Sequence, residues 1–527
     1  MNKKFIIGGI MFWAGLSGYM GLRVLESYTE DAVYAVLSVI PAQAQEIRYS
    51  FLDDSLRLKG VEYEIPDEKV IHKGSIESVE VKKFHRKIMF VKPNMPPYHA
   101  DELPRVGESF TFTGIVDRIH EDNTVIESRI GSMQVEGWYQ RVGMVMDRLV
   151  RKGAGDEFFE ELFRTRVDSL RAEQIDVSMS SPSLESPVKM HIDSAALPTG
   201  IRAPRGTERN TPVDAVLERV SIRQGDKSAA ASRMELRALR APEPEQLAKL
   251  VELSRALREG KADAASESLG KVLVDSYAKY PPFGQFGLYG VSVKTGKDEP
   301  PVTANSLTYA LRYQGDGYAD SMTCTDLHVR PESFGDLSAV VSRFAPSGIR
   351  LNASNESTCD SRELSARAVY ELPELGRFEG SSALAGDFIK LKKLSLLGEL
   401  VSADPLELLD KIQLKNIKMR YEDSGLMGLG FAAVAQELGL APEQLHSEAL
   451  GAVRSMAGDE NTVLAKLGAA LTEQLMAPGE IALELAPNES VSVQKLVKTL
   501  LVAPQDFPFT VQSRPGQKPL FEVGERK

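Results

Sequence analysis

SLRLKGVEYEI, residues Ser55–Ile65, changes the phase of its apolar residues halfway along. Leu56 and Leu58 have even numbers, whereas the next apolar residue, Val61, has an odd one. Because successive residues of a strand point to opposite faces of a sheet, a regular strand would bury only one of the two halves. A β-bulge at Gly60 resolves the conflict, since glycine tolerates the left-handed backbone and one extra residue restores the original face. Two short strands joined by a tight turn are the alternative interpretation.

The same apolar spacing recurs in five further windows of the sequence. Residues with a tendency for the left-handed backbone stand at three of the phase changes, and Gln174 and Lys83 stand at two others. The pattern indicates a chain rich in long, bent strands with one apolar face. Together with Gly60, the predicted bulges are Gly290, Asp326 and Asn416.

The N-terminal segment has the composition of a membrane anchor. Phe5–Leu22 is free of charged residues, and as a helix it would span about 27 Å, close to the thickness of a bilayer core. Lys3 and Lys4 precede it, so the positive-inside rule predicts a cytoplasmic N-terminus with the remaining chain across the membrane. A cleaved signal peptide and a buried core helix are the alternatives. Small residues at four-residue spacing also suggest a homodimer through the anchor.

The remaining pattern predicts an α+β chain: an N-terminal transmembrane helix, long bent antiparallel strands, helical pairs at 133–167 and 243–278, and a helical C-terminal region. Residues 24–40 have helical spacing and end at Pro41. The predicted organisation is 1–22 cytoplasmic tip and anchor, 23–132 amphipathic helix and first β unit, 133–280 mixed region with a loop at 180–212, 281–425 second β unit, and 426–527 helical region with a terminal strand and helix.

Motifs of known chemistry are missing from the sequence. There is no HExxH, GxSxG, GxxxxGK[ST] or CxxC, and the seven histidines never occur in pairs at metal-ligand spacing. The formal net charge of −11 argues against a nucleic-acid partner. We therefore predict a non-enzymatic protein without a cofactor, catalytic residue or metal site.

The chain contains two cysteines, Cys324 and Cys359. In an oxidising compartment they would close a loop of about 35 residues and add roughly 3–4 kcal/mol of stability by the loop-entropy argument. Cys324 occupies an apolar position of its window, so a buried free thiol is the alternative to the predicted disulfide.

The two ends of the chain resemble known envelope proteins. The anchor with ESYTEDAV and SLRLKGVEYEIP, and the C-terminal NIKMRYEDSGLMGLGFAAVAQELGLAPEQL, resemble the YdgA-like and AsmA-like proteins of Gram-negative bacteria. The resemblance implies a single-pass inner-membrane protein with most of the chain in the periplasm. It also implies phospholipid handling along an apolar β-groove, with membrane lipids and other envelope proteins as partners. A scaffold or protein-interaction module without a lipid ligand is the alternative. The groove residues would be Leu56, Leu58, Val61, Tyr63, Ile412, Leu414 and Ile417.

Overall fold

Long antiparallel strands dominate the computed structural model. Of the residues described, 59% lie in strands and 22% in helices. The chain divides into two compact units, Met1–Ala248 and Lys249–Lys527. The structure describes residues 23–37, 42–66, 70–85, 104–140, 166–200, 212–239, 284–386, 412–456, 463–503 and 506–521, apart from positions 24, 25, 36, 122, 298, 315, 316 and 361.

Unit 1 is built on a nine-stranded antiparallel meander. Each strand pairs with the next one along the chain, and the strands reach seventeen residues in length. Short connections between neighbours favour this order. The strands are β1 (Ala42–Ser50), β2 (Ser55–Pro66), β3 (Val70–Lys82), β4 (Arg105–Glu121), β5 (Thr124–Tyr139), β6 (Arg166–Ser180), β7 (Val188–Leu197), β8 (Val213–Gln224) and β9 (Lys227–Leu239).

A short helix, α1 (residues 26–35), packs against strand β1. Its Glu30 Oε1 accepts a hydrogen bond from the Tyr49 backbone N–H (2.8 Å), and its Glu26 Oε1 accepts one from the Phe51 N–H (3.0 Å). Val33 of α1, 6% exposed, joins the same apolar core as strands β1 to β6. The helix therefore satisfies backbone donors of the sheet edge, which otherwise invite pairing with another chain.

Unit 2 combines antiparallel strands with helices. Strands β10 to β16 form a meander; β17 then pairs with β16 and β19, and β18 pairs with the start of β16. The strands are β10 (Gln285–Lys294), β11 (Val302–Gln314), β12 (Gly317–Val329), β13 (Ile349–Cys359), β14 (Glu363–Leu372), β15 (Gly376–Ala385), β16 (Gln413–Asp423), β17 (Glu480–Leu485), β18 (Val491–Ser492) and β19 (Phe509–Arg514). The helices are a 3-10 helix (Pro331–Leu337), α2 (Ser338–Phe344), α3 (Leu426–Leu438), α4 (Pro442–Met456), α5 (Val463–Met476) and α6 (Val493–Val502).

Helix α5 is fastened to the sheet of unit 2 by a buried glutamine. Gln474 is 0% exposed, and its Nε2 donates to the Glu480 carbonyl oxygen (2.8 Å) and to Ser513 Oγ (2.9 Å). Its Oε1 accepts from the Gly479 N–H (2.7 Å). A buried amide needs such partners, because an unpaired one costs about 1–3 kcal/mol. These hydrogen bonds of Gln474 hold α5 against β17 and β19.

The predicted fold class is contradicted, because a large antiparallel sheet replaces the expected alternation of strands and helical pairs. Residues 133–139, expected to be helical, complete strand β5, and residues 188–197, expected in a loop, form β7. In β7 the alternating Val188, Met190 and Ile192 decide the structure, because they supply an apolar face, buried at Ile192, that outweighs the neighbouring serines and prolines. The predicted helical pair at 243–278 lies outside the described residues.

The predicted localisation also needs correction. In the part of the chain that the structure describes, no helix is long and apolar enough to cross a membrane. This finding contradicts the prediction of a single-pass inner-membrane protein with a periplasmic bulk. The segment Phe5–Leu22, on which that prediction was based, lies outside the described residues.

Candidate functional site

A line of backbone irregularities crosses every strand of unit 1. At Gly60 and Glu77, for example, the ladder between β2 and β3 skips one pair and resumes in the same register. The skipped residue reverses, on both strands at the same place, which of the alternating side chains point to each face. The apolar residues before and after it therefore lie on the same face of the sheet. On the even-numbered strands the skipped residue has a left-handed backbone, with φ of 57° at Gly60, 60° at Gly114, 55° at Gln174 and 50° at Arg219. The central line comprises Gln45, Gly60, Glu77, Gly114, Gly131, Gln174, Asp193, Arg219 and Ser232.

A second line runs parallel to the central line. Its members on β4, β5 and β6 are Glu108, Gly137 and Asp168, each six residues from the central line on its own strand. Lys83, directly after β3, continues it by an ion pair with Glu108. The left-handed positions are Lys83 (φ 50°) and Gly137 (φ 59°), and a Cβ added at Gly137 would collide with the Asp168 carboxylate. Six residues of strand span about 20 Å, so the two lines delimit a strip of that width.

Three rows of apolar side chains run across the nine strands on one face, two of them within the strip and the third just beyond the central line. The rows follow the strand register, so each residue faces its neighbour on the next strand. Row A is Tyr49, Leu56, Val81, Phe110, Val135, Leu170, Leu197, Ala215 and Leu236. Row B is Ile47, Leu58, Val79, Phe112, Met133, Ala172, Ala195, Leu217 and Met234. Row C is Ala44, Val61, Ile76, Ile115, Ile130, Ile175, Ile192, Val220 and Ala231.

Burial differs between the rows. In row A the exposed fraction is 3–7% from Tyr49 to Val135 and 8% at Ala215, whereas Leu170, Leu197 and Leu236 are half-buried. Most members of rows B and C are half-buried on all nine strands. Phe110 anchors the buried end, because its ring contacts the Trp138 ring at a centroid distance of 5.0 Å. Row A is therefore closed over β1 to β5, and its leucines on β6, β7 and β9 are partly accessible.

The opposite face of the same sheet is polar and charged. Arg57 and Glu80 form an ion pair across β2 and β3 (3.0 Å), and Glu127 binds both Arg129 (2.6 Å) and Arg118 (2.8 Å). The hydrogen bonds from Arg129 and Arg118 hold the pKa of the Glu127 carboxyl below its usual value. Because one face is charged and the other apolar, the sheet of unit 1 is amphipathic.

One polar pair interrupts the apolar face. Next to row C lies row D, which is Ala42, Tyr63, Gly74, Asp117, Ser128, Val177, Met190, Ile222 and Ala229. The Tyr63 ring lies over Gly74, where any Cβ would collide with it, and its hydroxyl donates to Asp117 Oδ1 (2.5 Å). Burial, with the Asp117 hydrogen bond, raises the pKa of the Tyr63 phenol.

The predicted groove residues fall into two groups. Leu56, Leu58, Val61 and Tyr63 all lie on the apolar face of unit 1, in rows A to D. The other three belong to unit 2. There Leu414, 2% exposed, pairs with Leu384, whereas Ile417 is half-buried and Ile412 directly precedes β16.

The predicted bulge positions differ in their geometry. Gly60, Gly290 and Asp326 have left-handed backbones, with φ of 57°, 57° and 51°. Asp326 is a one-sided bulge with respect to β13, because the register shifts there. Asn416 is not among the described residues with positive φ; it lies beside a register shift in the β15–β16 ladder.

The predicted disulfide between Cys324 and Cys359 is not formed, because the pairing of β12 with β13 holds the two cysteines apart. Cys324 faces Ala353 on strand β13, whereas Cys359 of β13 faces Tyr318. The two cysteines are therefore six positions apart along paired strands, about 20 Å, and a disulfide needs Cα atoms within about 7 Å. Burial raises the pKa of the Cys324 thiol.

The sequence-based prediction missed the contributions of β4, β5, β7, β8 and β9 to the apolar face. Their signal was the same three-residue step between apolar residues at the central line, as in Phe112 to Ile115 or Leu217 to Val220. Within the described residues, no group of three or more His, Cys, Asp or Glu side chains is arranged to hold a metal ion.

Comparison with known proteins gives a limited result. A family model described as "Uncharacterized protein" matches residues 370–513, about a quarter of the chain, from the end of β14 to β19. No curated protein matches the chain. The family match carries no link to the YdgA-like or AsmA-like proteins, so that resemblance stays a prediction.

Proposed function

We propose that unit 1 is a lipid-binding module that holds acyl chains along the apolar face formed by rows A, B and C. The observation that carries this proposal is the composition of the rows, which are apolar at every position across nine strands. Nine strands at about 4.8 Å spacing give rows about 38 Å long. A surface of this length and chemistry suits an extended hydrocarbon chain.

Partial exposure of apolar side chains on β8 and β9 supports the proposal. Leu217, Val220 and Met234 are half-buried, and Ile222 of the adjoining row D is 41% exposed. When an acyl chain binds there, its methylene groups and the apolar side chains of the sheet both leave water. Burial of each methylene group stabilises the complex by about 0.8 kcal/mol. The charged opposite face keeps this sheet hydrated on its other side.

One observation favours a second function, a scaffold without a lipid ligand. Over β1 to β5, row A is covered by the protein's own residues, and Val33 of α1 packs into the same core. A sheet covered along its whole length would bind no acyl chain. The two functions thus predict different behaviour of strands β6 to β9.

The test is native mass spectrometry with lipid extraction on the full chain, purified without detergent. We expect bound lipid or fatty acid, with extraction and headgroup analysis distinguishing a membrane phospholipid from a free fatty acid. Val220→Asp introduces a charge into row C and is expected to reduce loading at least tenfold, since a buried unpaired charge is costly. Ser221→Asp is the matched control, because it adds the same charge one residue away on the polar face. An apo mass that persists after incubation with liposomes would exclude the lipid function.

A further inference from the structure

Two arginines stack on one tyrosine at the strand ends of unit 1. Arg105 begins β4, Tyr139 ends β5 and Arg166 begins β6, and the register places Tyr139 between the other two. The guanidinium carbon of Arg166 lies 4.7 Å from the centroid of the Tyr139 ring, and that of Arg105 lies 5.7 Å from it. Both distances are within the range of cation–π contacts. One aromatic ring thus holds two cations close together, beyond the second line and outside rows A to C.

The two arginines differ in their hydrogen bonds. Arg166 donates from Nε (3.1 Å) and Nη2 (2.9 Å) to Asp168 Oδ1, and these bonds do not use its Nη1. Arg105 forms no ion pair within the described residues, and its buried Nε has no hydrogen-bond partner. A buried donor of a charged group is costly to leave unsatisfied, so native structures seldom contain one. Because Arg105 as a whole is only half-buried, an acceptor arriving from solvent can reach its side chain.

The ion pairs beside these arginines leave one positive charge in surplus. Lys83 pairs with Glu108, and its hydrogen bond, followed by the charges of Lys83 and Arg105, lowers the pKa of the Glu108 carboxyl. The Glu108 carboxylate is therefore already paired, and the Asp168 carboxylate is paired with Arg166. These five side chains carry three positive and two negative charges, although the whole chain has a net charge of −11. Among them Arg105 is the cation without a carboxylate of its own.

We infer that Arg105 and Arg166 bind the phosphate group of a ligand, either a soluble phosphate ester or the head of a phospholipid. A guanidinium group presents a rigid fork of N–H donors that matches two oxygens of a phosphate. A phosphate is favoured over a carboxylate because it has enough oxygens to accept from both arginines. Stacking on Tyr139 keeps both side chains in place before the ligand binds, which reduces the entropy cost of binding. The site does not depend on the proposed acyl-chain surface of rows A to C.

The test measures the affinity of the full chain for two probes, inorganic phosphate and dihexanoyl phosphatidic acid below its micelle concentration, by isothermal titration calorimetry. Neutral pH and constant ionic strength are used, because salt screens exposed charges. We expect saturable binding of both probes. Arg105→Gln should weaken it by roughly tenfold or more, the loss typical of a charge-assisted contact. Arg105→Lys keeps the charge without the planar fork and should weaken it by roughly threefold.

Arg171→Gln is the matched control for the net charge of the chain. It removes the same charge from β6, at a position paired with Glu173, and is expected to keep the full affinity for both probes. If Arg105→Gln does not fold, Arg105→Lys, which retains the cation beside Tyr139, still tests the site.

The two probes also distinguish the sources of the phosphate group. Phosphatidic acid binding roughly tenfold more tightly than inorganic phosphate would support the site and assign it to a lipid head, whereas equal affinities would support it and assign it to a soluble phosphate ester. Absence of saturable binding by either probe would overturn the inference, as would binding that both Arg105 variants leave unchanged. Neither of these negative results would affect the lipid-binding function proposed for rows A to C.

Discussion

Units 1 and 2 use the same backbone device with different results. In unit 1 the central line crosses all nine strands and the register is kept, so rows A to C stay apolar from one edge to the other. In unit 2 the line of Gly290, Asn305 and Asp326 ends at β13, where the register shifts by one residue. A skipped residue reverses the two faces of its strand, so the apolar surface stays continuous only if every neighbouring strand has a skipped residue at the same place.

The faces of the two sheets differ accordingly. In unit 2 the row that begins with Phe286 and Tyr309 continues through Asn355 and Gly380, and the next row contains Asp320, bonded to Ser357. Met322 in the first of these rows is 46% exposed. These two rows of unit 2 therefore contain small and polar residues, although the row of Leu288, Leu307, Cys324, Ala353, Tyr370 and Phe378 is apolar. Because three adjacent apolar rows occur in unit 1, the binding function is proposed for unit 1.

The largest expected effect comes from truncating matched aromatic residues in the two sheets. Phe110→Ala should lower the free energy of unfolding of unit 1 by about 3–4 kcal/mol, because Phe110 is 4% exposed. Phe378→Ala, at a half-buried position of β15, should lower that of unit 2 by about 1–2 kcal/mol. Hydrogen exchange read by mass spectrometry follows both sheets in one experiment. Equal losses would mean that the two faces are packed to the same degree.

A smaller effect is expected from breaking the central line itself. Gly114→Val forces a β-branched residue into φ 60° and places its Cβ 2.8 Å from the Cβ of Glu77, which should destabilise unit 1 by about 2–3 kcal/mol. Gly114→Asn is the control, because it places a Cβ at the same position but asparagine tolerates the left-handed backbone, and it should lose about 1–2 kcal/mol less than the valine variant. Chemical denaturation of both variants tests this. Similar midpoints for the valine and asparagine variants would show that left-handedness at this position is dispensable.

The smallest expected effect is a pH dependence confined to unit 1. His191 lies on the polar face between Asp176 (Nδ1 to Oδ1, 2.7 Å) and Asp193 of the central line (Nε2 to Oδ1, 2.8 Å). These two hydrogen bonds, that of Asp176 first, raise the pKa of His191 above its usual value of 6.5. Its extra stability is therefore fully present below pH 6.5 and is lost as the pH rises through the raised folded-state pKa.

Because His191 is largely exposed, the loss should not exceed about 0.5 kcal/mol. Thermal unfolding of the full chain between pH 5.5 and 9 measures it, and these pH limits span about one unit below and two above the unperturbed value. His191→Gln should remove the difference. His328 of unit 2 offers a comparison, since its Nε2 contacts the neutral carbonyl oxygen of Ser347. A His328→Gln variant that removed the slope instead would contradict the assignment to His191.

Local features of the fold were readable from the sequence where a residue type and a phase change coincide. The step from Leu58 to Val61 indicated an irregularity, and the left-handed residue lies at Gly60. The same reasoning failed in β5, because the left-handed position at Gly137 turns the spacing of Met133, Val135 and Trp138 into one that resembles a helix. A bent strand and an amphipathic helix share such intervals over short windows.

Features that depend on the pairing between strands could not be predicted from the sequence. The spacing between Cys324 and Cys359 gave no information on the β12–β13 register, and that register keeps the two thiols apart. Rows A to D arise in the same way, from nine registers acting together. Tyr63 was identified as an apolar groove residue, whereas its bond to Asp117 required β2, β3 and β4 to be placed side by side.

The two carboxylates of helix α1 have a consequence for self-assembly. Glu26 and Glu30 are one helical turn apart, and each occupies a main-chain donor at the end of β1. A strand from another molecule that approached this end would have to displace both acids and leave them without those donors. Helix α1 therefore blocks this stretch of the sheet border against pairing with a strand of another molecule.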